Sequence, residues 1–327
     1  MISLTKNFQT EETIKAMVRK AFPNLEAIYI NELKEGFFNV AYLIRLSDNR
    51  EVILKIAPPK MAEVMSYEVN LMKAEVLAMN LVKEKTNVPV PDILYYSKDH
   101  EGSDNNVCEA DYFFMTKLVG TNYNTLKGTL TEDEQYKIEY ELGKYNREMN
   151  EINGDHFGYY ASAKGNNQDW SSTFLSMISG VINDGKAKNI DIGLNYDELW
   201  NLVNQFTYEL NTVKNPSFVH WDLWDGNVFI KDGHIEGIID FERAIFGDPL
   251  MEYAFRSHNE GNLKGYMDAY GGIANDSNVR NRKLLYDIYL YLIMTVECEY
   301  RKYPDDWQYN WAKNMLLGAY NSLKTQE

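Results

Sequence analysis

The run Val219-His-Trp-Asp-Leu-Trp-Asp-Gly-Asn-Val-Phe-Ile230, followed by Gly237-Ile-Ile-Asp-Phe-Glu-Arg243, constrains this chain more than any other stretch. Val228 to Ile230 reads as a short apolar strand, Lys231-Asp-Gly-His234 as a tight turn, and Ile235 to Ile239 as the return strand of a hairpin. Asn227 and Asp240 each lie just outside an end of the paired segment, so the hairpin carries them back towards each other. The spacing His220-x-Asp222-x-x-x-x-Asn227 leads directly into it. A surface hairpin with scattered polar residues is the plain alternative. A bare His-x-Asp would fit that alternative well, and the whole spacing with strands in the right places does not.

Two carboxylates and an amide gathered in this way suit phosphoryl transfer to a hydroxyl. That chemistry needs a carboxylate beside the acceptor oxygen and oxygen ligands for the magnesium ions that bridge the phosphates. Asp222 is the candidate to face the hydroxyl, Asn227 and Asp240 are the candidate metal ligands, and His220 braces the loop.

From Val219 to Asn227 and from Ile238 to Pro249 the chain resembles the aminoglycoside phosphotransferase and choline kinase-like family, small-molecule relatives of the protein kinases. The likeness is to the aminoglycoside phosphotransferase-type branch. It implies an α+β, two-lobed protein-kinase-like fold. Residues 1–118 would form a nucleotide-binding lobe with a five-stranded antiparallel sheet and a helix. Residues 119–327 would form a larger, mainly helical lobe that binds the acceptor. ATP with magnesium would sit between them, with GTP left open. Two positions depart from the family. Trp221 stands where Gly is frequent, and Trp224 where many members have His; both bear on the acceptor more than on the reaction.

The preceding sequence fits this reading. Thr10 to Phe22 predicts a helix with Ile14, Met17 and Val18 on one side. Ala27–Asn31, Asn39–Leu46 and Val52–Ile56 predict strands. The turn Glu35-Gly-Phe-Phe-Asn-Val40 has one glycine and is a weak signal alone. The resemblance makes it the phosphate-covering loop, with Gly36 and Asn39 at the nucleotide. Lys55 lies in an apolar strand, where burial requires an anionic partner. The resemblance gives it the α- and β-phosphates, with Glu75 as its brace and Glu68 as the rival. The helix carrying them is expected over Met61–Lys85. Ile93–Tyr96 and Tyr112–Lys117 complete the sheet around the polar loop Asp99–Asn106. Leu118-Val-Gly120 resembles the hinge, where backbone groups of Thr116 and Leu118 would hold the base.

The second half reads as helical. Thr131-Glu-Asp-Glu134 is a capping box opening a helix to about Glu151. Further helices are expected over Ser171–Asn183, Tyr196–Val213, Met251–Tyr270 and Arg282–Tyr300. The segment Gly180-Val-Ile-Asn-Asp-Gly-Lys-Ala187 nearly matches a P-loop, but it ends in Ala and lacks a preceding strand, so a helix C-cap at Gly185 explains it better. A facial-triad iron site built on His220, Asp222 and a later histidine, His234 or His258, would need a strand-rich scaffold.

A net charge of -15 argues against a nucleic-acid surface and would suit a cationic small molecule, although plain solubility is the better explanation of the charge on its own. Two distant cysteines suggest no disulfide framework. The N-terminus shows no signal-peptide pattern and Ile288–Val296 is too short to span a bilayer, so a cytoplasmic protein is expected. An aminoglycoside-type acceptor is the first expectation, with a macrolide, choline, homoserine or sugar-like metabolite as alternatives. Trp224 and Glu242 are candidate acceptor contacts; Glu252, Glu297 and Glu299 could add ammonium contacts, and Trp221 and Trp170 an apolar wall. A non-catalytic nucleotide-binding module is the remaining reading, disfavoured because every candidate position is intact. Oligomeric state is not legible.

Overall fold

Strand β3 (Glu51–Ile56) explains the architecture of the N-terminal half, because nearly all of it is buried. A strand with both faces covered needs an apolar layer on each side. The computed structural model describes residues 5–34, 36, 38–97, 107–161, 169–257 and 263–326. In it, helix α1 (Glu11–Ala21) precedes strands β1 (Ala27–Leu33), β2 (Val40–Leu46) and β3, helix α2 (Leu71–Lys85), and strands β4 (Ile93–Ser97) and β5 (Tyr112–Thr116). These five strands form an antiparallel sheet in the order β1-β2-β3-β5-β4. Ile14, Met17 and Val18 of α1 pack with Val52, Leu54 and Ile56. On the other face Ile53, Phe113 and Met115 meet Met72, Val76 and Met79 of α2. Lys55 shares the strand face of Ile53 by the two-residue period, so it points towards α2.

The remainder is mainly helical. It comprises β6 (Thr121–Asn122), α3 (Tyr123–Leu126), α4 (Glu132–Asn150), β7 (Gly158–Tyr159), α5 (Trp170–Ala187), α6 (Tyr196–Phe206) and β8 (Ser217–Val219). Then come β9 (Val228–Lys231), β10 (His234–Ile238), β11 (Ile245–Gly247), α7 (Leu250–Ser257), α8 (Lys264–Tyr270), α9 (Ser277–Arg301) and α10 (Trp307–Lys324). The capping box at Thr131 and Glu134 opens α4 as its sequence requires. Helices α4 and α8 cross closely because Gly143 and Gly265 face each other's partners: a Cβ there would lie 2.3 Å from the Tyr266 carbonyl and 2.2 Å from that of Tyr136. The long α9 runs through the main apolar core, packed by α5, α6 and α10. The hairpin β9–β10 extends on one side into β6, so the chain joins this second sheet just past residue 120.

Several boundaries differ from expectation. The helix expected from Met61 begins only at Leu71, because Asn70 is left-handed at φ 62° and stops a helix from running through it. Residues 57–70 instead run across to the helical half, where Met65 and Tyr67 enter its core. The helix expected over 251–270 is two helices, α7 and α8, and His258 lies outside the described residues. The span 196–213 is α6 followed by a 3-10 segment, Thr207–Thr212. Gly185 is not a cap; α5 continues to Ala187, and the glycine admits the Tyr196 ring, whose hydroxyl would be 2.2 Å from a Cβ. Helix α10 and the short strands β6, β7, β8 and β11 carried too little periodicity to be anticipated. The loop 99–106, Glu35 and Phe37 also lie outside the described residues. Among the described residues no helix is long and apolar enough to cross a membrane.

Candidate active site

A lysine buried in a sheet must find negative charge, and Lys55 finds it twice. Its Nζ donates to both carboxylate oxygens of Glu75 on α2, at 2.7 and 2.8 Å, and to Asp240 Oδ1 at 2.6 Å. The rival Glu68 lies elsewhere, paired with Arg301 at 2.7 Å. Burial works against a charge on Lys55, but Asp240 and Glu75 outweigh it and hold the ammonium above its ordinary range. Burial also pushes Asp240 up, yet Lys55 overrides this and keeps the carboxyl below its usual value.

Asp240 follows β10 with a left-handed backbone, φ 70° and ψ 51°, a conformation that aspartate tolerates. Just before it, the Ile239 N–H donates to the Asn227 carbonyl at 3.0 Å, which closes the base of the hairpin and sets Asn227 beside Asp240. Asn227 Nδ2 donates to the Asp222 carbonyl at 2.8 Å and to Asp222 Oδ2 at 3.1 Å. The amide oxygen of Asn227 is therefore the atom it can offer to a cation. Burial pushes the Asp222 carboxyl up to about 8, with Arg243 opposing the rise.

Carboxylate oxygens of Glu75, Asp240 and Glu242 lie within 4.8 Å of one another. Glu242 also accepts from Asn39 Nδ2 at 2.7 Å, so the loop after β1 is tied to the far side of the cleft. The Asn39 carbonyl in turn accepts from Lys6 Nζ at 2.9 Å. Three carboxylates around one ammonium leave an excess of negative charge, and their hard oxygen donors suit magnesium.

His220 is fully buried. Its Nε2 lies 3.0 Å from the Ile239 carbonyl, and its Nδ1 accepts from the Asp222 N–H at 3.1 Å. Both ring nitrogens are committed to backbone, and burial holds the imidazole neutral, down to about 4. This leaves no lone pair for an iron, and His234 sits 80% exposed on the hairpin turn.

Trp221, at φ 57°, adopts a backbone that favours glycine, the residue frequent at this position in the family it resembles. Two contacts hold the bulky residue there. Its N–H donates to Glu252 at 2.6 Å, and its ring stacks on Tyr289 at 5.2 Å. It is core and not an acceptor wall, as is Trp170; both are 1% exposed. Trp224 is 40% exposed at the outer side of the loop.

The strand β5 leads into residues 117–120. The Thr116 hydroxyl accepts from the Asp92 N–H at 2.9 Å, and the Leu118 side chain lies against Gly237, where a Cβ would be 2.8 Å from it. Glu236 accepts from the N–H groups of Val119 and Gly120, at 2.8 and 2.6 Å, anchoring this linker to β10.

The fold is shared with proteins of known structure. A family model described as the phosphotransferase enzyme family, APH, matches residues 30–257. The chain belongs to that family. A putative fructosamine-3-kinase from Haemophilus somnus superposes on this chain with a TM-score of 0.69 at 18% identity, covering 94% of this chain and 97% of that one. The gentamicin complex of APH(2")-IIa gives 0.64 at 16% identity over 95% and 97% of the two chains. A ternary complex of aminoglycoside phosphotransferase APH(4)-Ia with ADP and hygromycin B gives 0.63 at 16% over 95% and 98%. Subtelomeric hrmA-associated cluster proteins of Aspergillus fumigatus are 29% identical over 120 residues, 37% of this chain and only 22% of their own length.

Beneath the loop lies a charge network that the sequence did not reveal. Glu252, fully buried, accepts the N–H groups of Trp221 and Leu223, the latter at 3.1 Å. Burial pushes its carboxyl up to about 7. Arg256, equally buried, donates to the Leu223 carbonyl at 2.7 Å and to Glu139 at 2.8 Å. Lys127 pairs with Asp225 at 2.6 Å. In sequence these residues look like solvated helix faces. The one available signal was the Glu252 and Arg256 pair at i,i+4 within an otherwise apolar helix.

The acids considered for ammonium binding are mostly engaged. Glu252 holds the loop, Glu299 pairs with Lys302, and Glu297 receives Arg243, Arg301 and Gln308.

Proposed function

We propose that this phosphotransferase moves the γ-phosphoryl group of ATP to a hydroxyl of a small molecule. The observation that carries the reading is Lys55 bridging Glu75 and Asp240 while Asn227 and Asp222 stand hydrogen-bonded beside them. Lys55, fixed by Glu75, restrains the phosphates. Asp240, Glu242 and the Asn227 amide oxygen would hold magnesium, which neutralises charge on the phosphates when bound.

The chain's own residues do the rest. Asp222, in the ionised form that Arg243 and a bound magnesium ion would favour against its burial, orients the acceptor hydroxyl and takes its proton as the new O–P bond forms and the bond to ADP breaks. The neutral His220 fixes the backbone of Asp222 through Nδ1, and Glu252 fixes the residues on either side. Gly36 and Asn39 would lie over the phosphates, and backbone groups of Thr116 and Leu118 would meet the base. Because the transition state carries its charge on the phosphoryl oxygens, prior placement of these groups lowers the barrier.

An aminoglycoside-type antibiotic is the acceptor class that the family resemblance brings first. Local charge adds little support, since Glu252, Glu297 and Glu299 are engaged and Glu242 accepts from Asn39 and is assigned here to magnesium. Hydroxylated metabolites stand beside it, with Trp224 as a candidate contact in either case. Coupled-assay detection of ADP release across aminoglycosides, macrolides, choline, homoserine and sugars tests the reading. Acceptor-stimulated release supports it, and an absence of MgATP binding by calorimetry contradicts it.

A further inference from the structure

Glu236 is the extra residue of a β-bulge. Ile235 of β10 pairs with Ile230 of β9 and Gly237 pairs with Phe229, so Glu236 stands out of the ladder, a device that re-aims a side chain. Its carboxylate goes to the chain that joins the two halves. One oxygen, Oε2, accepts from the N–H groups of both Val119 and Gly120, at 2.8 and 2.6 Å. Apolar burial does not hold this stretch, since Val119 is 69% exposed. Further contacts complete the seam. The Leu118 methyl groups rest where Gly237 has no Cβ, and Thr121 and Asn122 pair with Ile230 and Phe229. Asn122 Nδ2 donates to the carbonyl of Gly226, one residue before Asn227. The Ile238 N–H donates to the Pro89 carbonyl at 2.9 Å, so β10 also grips the chain ahead of β4.

We propose that Glu236 is a positioning residue for the nucleotide, which holds the Leu118 backbone in the orientation that meets the base and ties it to the hairpin of Asn227 and Asp240. The inference rests on the kinase reading above. A trans peptide sets its N–H and C=O in opposite directions. The Val119 N–H faces Glu236, so the Leu118 carbonyl points away from it and is kept as an acceptor for a donor on the base. The Gly120 N–H fixes the next peptide in the same way. Bonds to a carboxylate are shorter and stronger than those between neutral groups, so both peptides lose the freedom to turn. Without Glu236 the two N–H groups turn to water and the Leu118 carbonyl samples several directions. A base then has to order the linker as it binds, and that cost appears as lost nucleotide affinity. Phosphates held by Lys55 would not sense the change.

The test measures, by calorimetry on the full chain, the binding of MgATP and of magnesium tripolyphosphate, which has the phosphates without the base. Glu236→Ala should weaken MgATP by about tenfold and leave tripolyphosphate unchanged. Glu236→Gln keeps an acceptor oxygen at the same reach and should restore most of the MgATP affinity. Where an acceptor is turned over, Glu236→Ala should raise KM for ATP more than it lowers kcat, with KM for the acceptor unmoved. If the alanine variant does not fold, Glu236→Asp, one methylene shorter and unable to span both N–H groups, takes its place with the same expectations. Equal weakening of both ligands, no weakening of either, or a glutamine variant as weak as alanine overturns the proposal. Parent protein that binds MgATP beside indifferent variants overturns this inference alone, whereas parent protein that fails to bind MgATP overturns the kinase reading with it.

Discussion

Lys55 Nζ lies 2.6 Å from Asp240 Oδ1, so the central strand of the sheet is tied to a residue 185 positions later. The same ammonium satisfies Glu75, which is fully buried. Lys55→Met should therefore destabilise the protein by about 3–5 kcal/mol in urea denaturation, because it strands a buried carboxylate. Glu75→Gln leaves Lys55 with Asp240 and should cost clearly less. Equal losses in the two variants would show that the pair is not coupled as the geometry indicates.

His220 should make the protein sensitive to acid. Its folded-state value of about 4 lies below the ordinary 6.5, so the stability linked to it is complete above pH 6.5. That stability is lost as pH falls through 4, by about 3 kcal/mol in all. His220→Gln can still donate to the Ile239 carbonyl and has no charge to gain. Thermal melts from pH 7 to 4 should fall less steeply for the variant, and parallel curves would contradict the buried neutral imidazole.

Glu252→Ala leaves the N–H groups of Trp221 and Leu223 without their buried acceptor, which should cost roughly 2–4 kcal/mol. Glu252→Gln retains one acceptor oxygen and should lose about half as much. The pH signature runs opposite to that of His220. The folded-state value of about 7 is raised, so the proton-linked stability is complete below the ordinary glutamate range and is lost as pH rises through 7. Glu252→Gln should lack that decline between pH 5 and 8.

Gly120→Ala tests the anchoring of the linker. A Cβ there would lie 2.3 Å from the Ile230 carbonyl oxygen, a backbone atom that cannot rotate away. A loss of about 1–3 kcal/mol is expected. A variant as stable as the parent would mean that the linker and β9 separate readily.

The sequence made Lys55, Asp222, Asn227 and Asp240 readable because their signals are local. A strand interrupted by one lysine and a hairpin flanked by two polar residues each state a geometry within a few positions. Glu75 could be chosen over Glu68 only through the family resemblance, since both are acids in one expected helix. The actual start of α2 at Leu71 places Glu68 outside that helix. Glu252, Arg256 and Glu139 were hidden for a physical reason: a buried charge and a solvated one look alike until the partner from another helix is known. Trp221 was visible as a departure from glycine, but its stacking on Tyr289 and its bond to Glu252 depend on α9 and α7, far along the chain. The acceptor remained out of reach because no local pattern in the sequence marks the residues that would meet it.

The most direct measurement is acceptor-dependent ADP release by Asp222→Asn beside the parent protein, with MgATP affinity determined for both. The variant should lose about 10²–10⁴ in kcat while its MgATP Kd stays close to that of the parent, as expected for removal of a general base that does not touch the nucleotide. Turnover at the parent rate would contradict the assignment of Asp222, and with it the account of this site as a phosphoryl-transfer centre.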